Sequence, residues 1–371
     1  MAKYFLIAGE ASGDLHAAAL IAQLKQQDPE AHFAGLGGDH MAAAECRIYQ
    51  DYRRMAFMGF GAVLRNLGQV RRNFQIAKQA LLTEQPDALI LIDYPSFNLK
   101  MASFCRKHLP KTKIFYYIAP KVWAWKKFRI HRIAKLCDEV LGIFPFEPAF
   151  YAKFGYRCTY VGNPTVEEID RFVKGLTTND QRPTTLVILP GSRKNEVSHC
   201  LPRMLEAARR FPDYRIVVTA APGIEDDFYA PYLGAGETLT RDTYGAVQSA
   251  AAAVVNSGTA TLETALLGCP QVAVYYTSFE RIVEYIRWMQ PLFFSVPYFT
   301  LVNIITGQEV IRECISNDFT VNKIAAELQR LLTDEAYKKE MLASYEHLRS
   351  LLGSQPAAAT AATIITSTVQ S

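Results

Sequence analysis

Tyr4-Phe-Leu-Ile-Ala8, then Gly9-Glu-Ala-Ser-Gly-Asp14, then the helical pattern Leu15–Gln26 is the stretch that decides the fold. A short apolar run bounded by turn residues reads as a buried strand. Two glycines let the chain turn tightly. The helix that follows offers unpaired N–H groups to an anion. The turn is not G-x-G-x-x-G, and no acidic residue closes a following strand to take a ribose. Glu10 and Ser12 are therefore candidate polar groups at a strand end. The alternative is a plain βα turn in which Asp14 favours the first helical turn.

The rhythm recurs along the chain. Ala88–Ile92 ends at Asp93-Tyr94-Pro95, Lys113–Ile118 at Ala119-Pro120, and Glu139–Ile143 at Phe144-Pro145. Strand, polar or proline turn, then helix is the pattern of a parallel α/β sheet, whose ligands sit at the carboxyl ends of the strands. A break falls near Asn163-Pro164, and the polar stretch Glu167 to Pro183 reads as a linker. The pattern restarts at Thr185–Leu189, Arg215–Thr219, Ala251–Val255 and Gln271–Tyr275. A chain of 371 residues favours two domains. The expectation is two Rossmann-like parallel α/β domains with a cleft, over residues 1–165 and 166–345. A tail over 346–371, rich in Ala and Thr, is either a last helix or frayed.

Charge is unevenly spread. From Tyr52 to Cys137 there are seventeen Lys/Arg and three acids, a net +14; the other 23 basic and 33 acidic residues leave −10. A basic block in a near-neutral chain points to an anionic partner or to a solvated basic face. Interleaved Phe57, Met58, Phe60, Trp123, Trp125 and Phe128 favour a lipid interface over nucleic acid. On a helical projection of Met58–Lys78, Phe60, Val63, Leu64, Leu67, Val70 and Phe74 share a face. Arg65, Gln69, Arg72 and Asn73 lie opposite, and Arg71 would have to snorkel. Met58, Phe60, Val63, Leu64, Leu67, Arg71 and Arg72 are the candidate membrane-contact residues. An ordinary helix packed on a core is the alternative. Trp123 and Trp125 beside a basic segment suit an interface, or a core position.

Seven scattered cysteines without a C-x-x-C pair read as reduced thiols. The histidines show no metal spacing. The first apolar stretch is too short for a signal peptide, and no run of eighteen apolar residues could span a bilayer.

Three further turns carry candidate chemistry. Asp93 follows an apolar strand against a proline-fixed turn, where a partly buried carboxyl can act as general base or simply cap a helix. Leu189-Pro-Gly-Ser-Arg193 exposes backbone, hydroxyl and guanidinium donors suited to phosphate. Ser257-Gly-Thr-Ala-Thr-Leu-Glu263 places hydroxyls at a helix start and a carboxylate one turn in. That arrangement suits a diphosphate with a ribose, or an N-terminal cap.

Taken in register, these segments resemble the lipid-A-disaccharide synthase family of GT-B glycosyltransferases. The motifs are Ala8–Asp14, Gly35-x-Gly-Gly-x-x-Met41, Met58-Gly59, Ile92–Asn98, Pro120–Trp125, Phe144–Glu147, Leu189–Arg193, Ser257–Glu263 and Leu301–Asn303. The resemblance implies a peripheral enzyme on the cytoplasmic side of the inner membrane, needing no metal or cofactor and binding no nucleic acid. It would join UDP-2,3-diacylglucosamine to 2,3-diacylglucosamine 1-phosphate. By position Asp93 would be the base. Arg193, Ser257, Gly258, Thr259, Glu263 and Asn303 would serve UDP, and Glu10, Ser12 and Asn98 would join the substrate-binding residues. In this fold type the last helix commonly crosses back to the first domain. Asn163 stands where many members carry His, so it is given no catalytic role. A homodimer is left open. The rival readings are a UDP-N-acetylglucosamine 2-epimerase of the same architecture and a non-enzymatic nucleotide-binding protein.

Overall fold

A computed structural model describes residues 1–55, 67–123, 128–174, 184–276 and 298–370. The chain forms two compact units: residues 1–164 with 354–371, and residues 165–353.

The first unit runs β1 (Lys3–Ala8), α1 (Ala11–Gln27), β2 (His32–Gly37), α2 (Asp39–Ala43), β3 (Arg47–Asp51) and a 3₁₀ turn (Tyr52–Arg54). It continues through α3 (Leu67–Glu84), β4 (Ala88–Ile92), α4 (Pro95–His108), β5 (Lys113–Tyr117), α5 (Arg129–Leu136), β6 (Glu139–Gly142), α6 (Glu147–Ala152) and β7 (Thr159–Tyr160). Its strands are all parallel, in the order β3-β2-β1-β4-β5-β6-β7. β1 and β4 are buried almost throughout, because helices cover both faces of a parallel sheet. One core side holds Phe5, Ile7, Leu89, Leu91 and Phe97; the other holds Leu6, Ala8, Leu20, Ile90 and Phe115.

The second unit contains α7 (Pro164–Lys174), β8 (Thr185–Leu189), α8 (Lys194–Ala208), β9 (Arg215–Thr219), β10 (Glu237–Thr240), α9 (Thr243–Gln248), β11 (Ala252–Asn256) and α10 (Thr259–Leu266). β12 (Gln271–Tyr275), α11 (Leu301–Thr306), β13 (Glu313–Ile315), α12 (Val321–Thr333) and α13 (Glu335–Leu352) follow. The parallel order is β10-β9-β8-β11-β12-β13. In each sheet the order of strand addition therefore reverses once, between β1 and β4 and between β8 and β11. Loops at such a reversal diverge and leave room for a ligand.

Three expectations change. The Glu167–Pro183 linker begins inside α7, an ordered helix whose Asp170 pairs with Arg349 of α13; 175–183 lie outside the described residues. The tail boundary at 346 falls within α13, which runs unbroken until Gly353. The last segment is α14 (Ala357–Gln370), which packs on α1 through Ala361, Ala362 and Ile365. Trp123 is not an interface residue: it is buried, with its ring edge-on to Phe144 and Phe146 at 5.8 and 5.0 Å.

Of the membrane-contact candidates, Met58, Phe60, Val63 and Leu64 lie outside the described residues, as do Trp125 and the side chain of Leu67. From Val70 onward, α3 is a core helix on one side. Phe74 stacks on Phe97 at 4.3 Å, and Ala77, Ala80 and Leu81 are buried. Arg71 and Arg72 are exposed. Asn73, expected on the polar face, is buried because its amide donates to the Arg54 carbonyl at 2.9 Å. Among the described residues no helix is long and apolar enough to cross a membrane.

Candidate active site

In the first unit the loops after β1, β4 and β5 lie around the point of sheet reversal. Glu10 is half-buried and Ser12 exposed, both at the start of α1. Asp14, by contrast, is buried. Its carboxylate accepts from the backbone N–H groups of Gly38 (2.7 Å), His40 (3.0 Å) and Met41 (3.2 Å). It stabilises the loop after β2 rather than its own helix. That explains the Gly37-Gly38 pair: a Cβ on Gly38 would stand 2.4 Å from the Tyr52 ring and 2.9 Å from the Asp14 carboxylate.

Asp93 is held by strain and hydrogen bonds together. Asp93 (φ 43°) and Tyr94 (φ 45°) both adopt left-handed backbone, as does Ile118 (φ 58°) at the end of β5. Such conformations cost non-glycine residues about 1–3 kcal/mol each and survive only where neighbours enforce them. Here Asp93 N donates to Ile118 O (3.2 Å). The Asp93 carbonyl accepts from Asn98 Nδ2 and Tyr116 Oη, each at 2.7 Å. Tyr94 Oη donates to Met55 O at 2.7 Å. The Tyr94 ring fills the space over Gly9, where a Cβ would come within 2.3 Å of it.

The Asp93 side chain is exposed to solvent, yet desolvation pushes its carboxyl above the ordinary range. The two facts describe different things. Water reaches the group, but the dense protein around it still costs the anion part of its hydration. The Lys121 ammonium and the Tyr94 backbone N–H work in the opposite direction. Lys121 is itself held below the usual lysine range by desolvation, against the opposing pull of Asp93 and Glu147. Glu147 is buried. Its Oε2 accepts from Ile143 N (2.8 Å) and Phe144 N (3.0 Å), and its Oε1 from Trp123 Nε1 (3.2 Å). Desolvation nonetheless raises it to about 7. Lys121 and Glu147 were missed by sequence reasoning, although both lie inside motifs it singled out.

In the second unit the loops after β8 and β11 flank the other reversal. Arg193 is exposed at the start of α8, its Nη1 2.8 Å from Glu196 Oε1. Ser257 is half-buried; Gly258 and Thr259 are exposed at the start of α10. The N-cap residue is Gly258, not Thr259. Glu263 is half-buried, and desolvation followed by the nearby Glu168 charge raises it to about 7. The same two carboxylates, after burial, push the Tyr244 hydroxyl up.

Two expected substrate residues are fully buried and bonded within the protein. Asn98 is fully buried; its Nδ2 donates to the Ile92 and Asp93 carbonyls, and its Oδ1 has no partner among the described residues. Asn303 is fully buried with both ends occupied. Its Nδ2 donates to Ile311 O and Glu313 Oε1, and its Oδ1 accepts from Val310 N and Ile311 N, all at 2.9–3.0 Å. Asn163 is buried and donates to Ile143 O at 3.0 Å. The seven cysteines are free thiols, and among the described residues no His/Cys/Asp/Glu cluster could hold a metal.

The family model for lipid-A-disaccharide synthetase matches residues 4–365. The chain belongs to the lipid-A-disaccharide synthase family. Relatives of that name include those of Myxococcus xanthus (35% identical, covering 97% of this chain and 96% of the relative) and Syntrophus aciditrophicus (36%, 96% and 95%). Among solved structures, UDP-GlcNAc 2-epimerase from Neisseria meningitidis bound to UDP-GlcNAc superposes with a TM-score of 0.67 at 11% identity, covering 99% of both chains. The glycosyltransferase of kitacinnamycin gives 0.64 at 11%, again covering 99% of both. At these identities the structures establish the shared GT-B-like fold. The near-full-length sequence match separates this family from the epimerases.

Proposed function

We propose that this glycosyltransferase of lipid A biosynthesis transfers 2,3-diacylglucosamine from UDP to the 6-hydroxyl of 2,3-diacylglucosamine 1-phosphate, with inversion, at a membrane surface. The observation that carries the reading is Asp93. It is a solvent-reachable carboxyl with a raised pKa, fixed by a strained, hydrogen-bonded loop at the reversal of the first sheet. A base is most effective when its pKa approaches working pH. Asp93 takes the proton of the acceptor hydroxyl, whose oxygen forms the new bond to the anomeric carbon. The bond from that carbon to the UDP oxygen breaks, and UDP leaves with the electron pair. Arg193 and the N–H groups at the start of α10 offset the charge gathering on the diphosphate. Glu263 accepts from the ribose hydroxyls. Exposed Arg71 and Arg72 support peripheral attachment to an anionic membrane.

The test is incubation of wild type and Asp93→Ala with both acylated sugars in detergent micelles, following the disaccharide 1-phosphate by mass spectrometry. Product from wild type alone is expected. No product from a UDP-binding wild type, across several acyl lengths, would return the assignment to a soluble sugar-nucleotide enzyme.

A further inference from the structure

Beside the 3₁₀ turn of the first unit, a concavity of about 410 Å³ is lined by Gln50, Arg54, Gln69, Arg72 and Ile76. No carboxylate stands among these residues. Gln69, Arg72 and Ile76, spaced three and four apart, share one side of α3. Gln50 comes from β3 and Arg54 from the turn beyond it. The Asn73 amide bound to Arg54 O ties turn and helix together, and Gln69 Nε2 donates to Asn73 Oδ1 at 2.9 Å.

Gln69 apart, the donors in this groove are uncommitted. Among the described residues, neither the Arg54 nor the Arg72 guanidinium has an ion pair or hydrogen bond. Arg53 next door is paired with both Asp39 and Asp51. Gln50 is only 9% exposed, yet nothing described hydrogen-bonds its amide. Two free guanidiniums beside a glutamine amide on the groove wall match the oxygens of a phosphate. The volume suits a head group rather than a lone ion.

We infer that this groove binds a phosphate group carried by a lipid head group at the membrane surface. The inference deepens the membrane reading above and names its chemistry. Phosphate recognition makes attachment depend on particular residues, where diffuse attraction depends only on charge number.

The full chain is tested by flotation with phosphatidylcholine vesicles, with and without phosphatidic acid. Inorganic phosphate serves as a soluble competitor. Arg54→Gln/Arg72→Gln is compared with the charge-matched Arg71→Gln/Lys78→Gln on the same helix. Gln50→Glu places a repelling carboxylate in the groove. The groove pair and Gln50→Glu are expected to weaken binding to phosphatidic acid at least tenfold more than the control pair. Strong competition by inorganic phosphate would support the site with free phosphate as a second source, and weak competition would support the head group alone. Equal losses for both pairs, with Gln50→Glu unchanged, would overturn the inference in favour of diffuse attraction. Circular dichroism and a thermal melt of each variant certify folding. Vesicle binding is read without turnover, so its failure leaves the transferase reading standing, and failure of transfer in detergent leaves this one.

Discussion

The two units share a strand order and a point of reversal, yet they equip it in opposite ways. The first surrounds it with strained backbone and coupled titratable groups: Asp93, Lys121 and, behind them, Glu147. The second lines it with an exposed arginine, hydroxyls and helix starts. On the proposed reading, one scaffold carries proton chemistry in one copy and anion recognition in the other. The fold fixes where ligands go, and the loops decide what is done to them.

The contrast breaks most directly by exchanging losses. Asp93→Asn keeps the shape and removes the base, so turnover should fall about 10²–10⁴-fold with UDP affinity unchanged. Arg193→Gln should do the reverse. Loss of a charge-assisted bond weakens UDP binding roughly tenfold to a hundredfold. Single-turnover rates and UDP titration calorimetry on both variants decide it. A UDP-binding loss in Asp93→Asn would show that the division of labour is wrong.

The buried asparagines sharpen the same comparison through stability. Asn303→Ala leaves Val310 N, Ile311 N and Ile311 O without their partner inside the protein. A cost of roughly 3 kcal/mol and a Tm lower by about 6–12 °C are expected. Asn98→Ala should destabilise too. It should also slow turnover, because the freed Asp93 carbonyl lets a strained loop relax. Calorimetric melts with assays below the transition would test the pair, and full activity in Asn98→Ala would remove the positioning role.

These asparagines also mark where the sequence stops being legible. The central strands were readable because β1, β4, β8 and β11 are short apolar runs closed by turn residues. β2 was not: its His-Phe-Ala-Gly-Leu-Gly carries glycines that usually argue against a strand. Here Gly35 admits the Leu6 carbonyl to within 2.1 Å of its would-be Cβ. Edge strands β3, β10 and β13 are polar or very short. In the first unit Asp93 was visible as a polar group at a strand end; in the second Arg193 followed a strand and Glu263 lay one turn into a helix. Asn98 and Asn303 sit in equally conspicuous motifs, and only burial and hydrogen bonding tell a ligand contact from a brace. Lys121 escaped notice because its significance lies in Asp93 and Glu147, 28 and 26 residues away in sequence.

Lys121 makes the proton side of the comparison measurable. Its ammonium opposes the desolvation that raises Asp93, so it keeps more of the base ionised. Lys121→Met removes that opposition and should move the acid limb of the kcat/KM profile to higher pH. Lys121→Arg should restore it. A fall in rate with an unmoved limb would mean that Lys121 only shapes the loop.

The smallest effect expected is in the second unit, and it concerns binding alone. Glu263 sits near pKa 7 through desolvation and Glu168. In the proposed site ribose hydroxyls donate to the ionised carboxyl, so UDP should select the deprotonated form. Raising pH through 7 supplies that form; lowering it withdraws it. Between pH 8 and pH 6 the ionised fraction falls about tenfold, and UDP affinity should fall by up to that factor. Glu263→Gln, which cannot titrate, should bind more weakly at pH 8 and show a flatter profile. Were wild type already flat across this range while Glu263→Gln lost affinity, the carboxyl would be ionised throughout. Its crowding by Glu168 would then be relieved in solution, and the second unit would carry no titrating group in its reading of UDP.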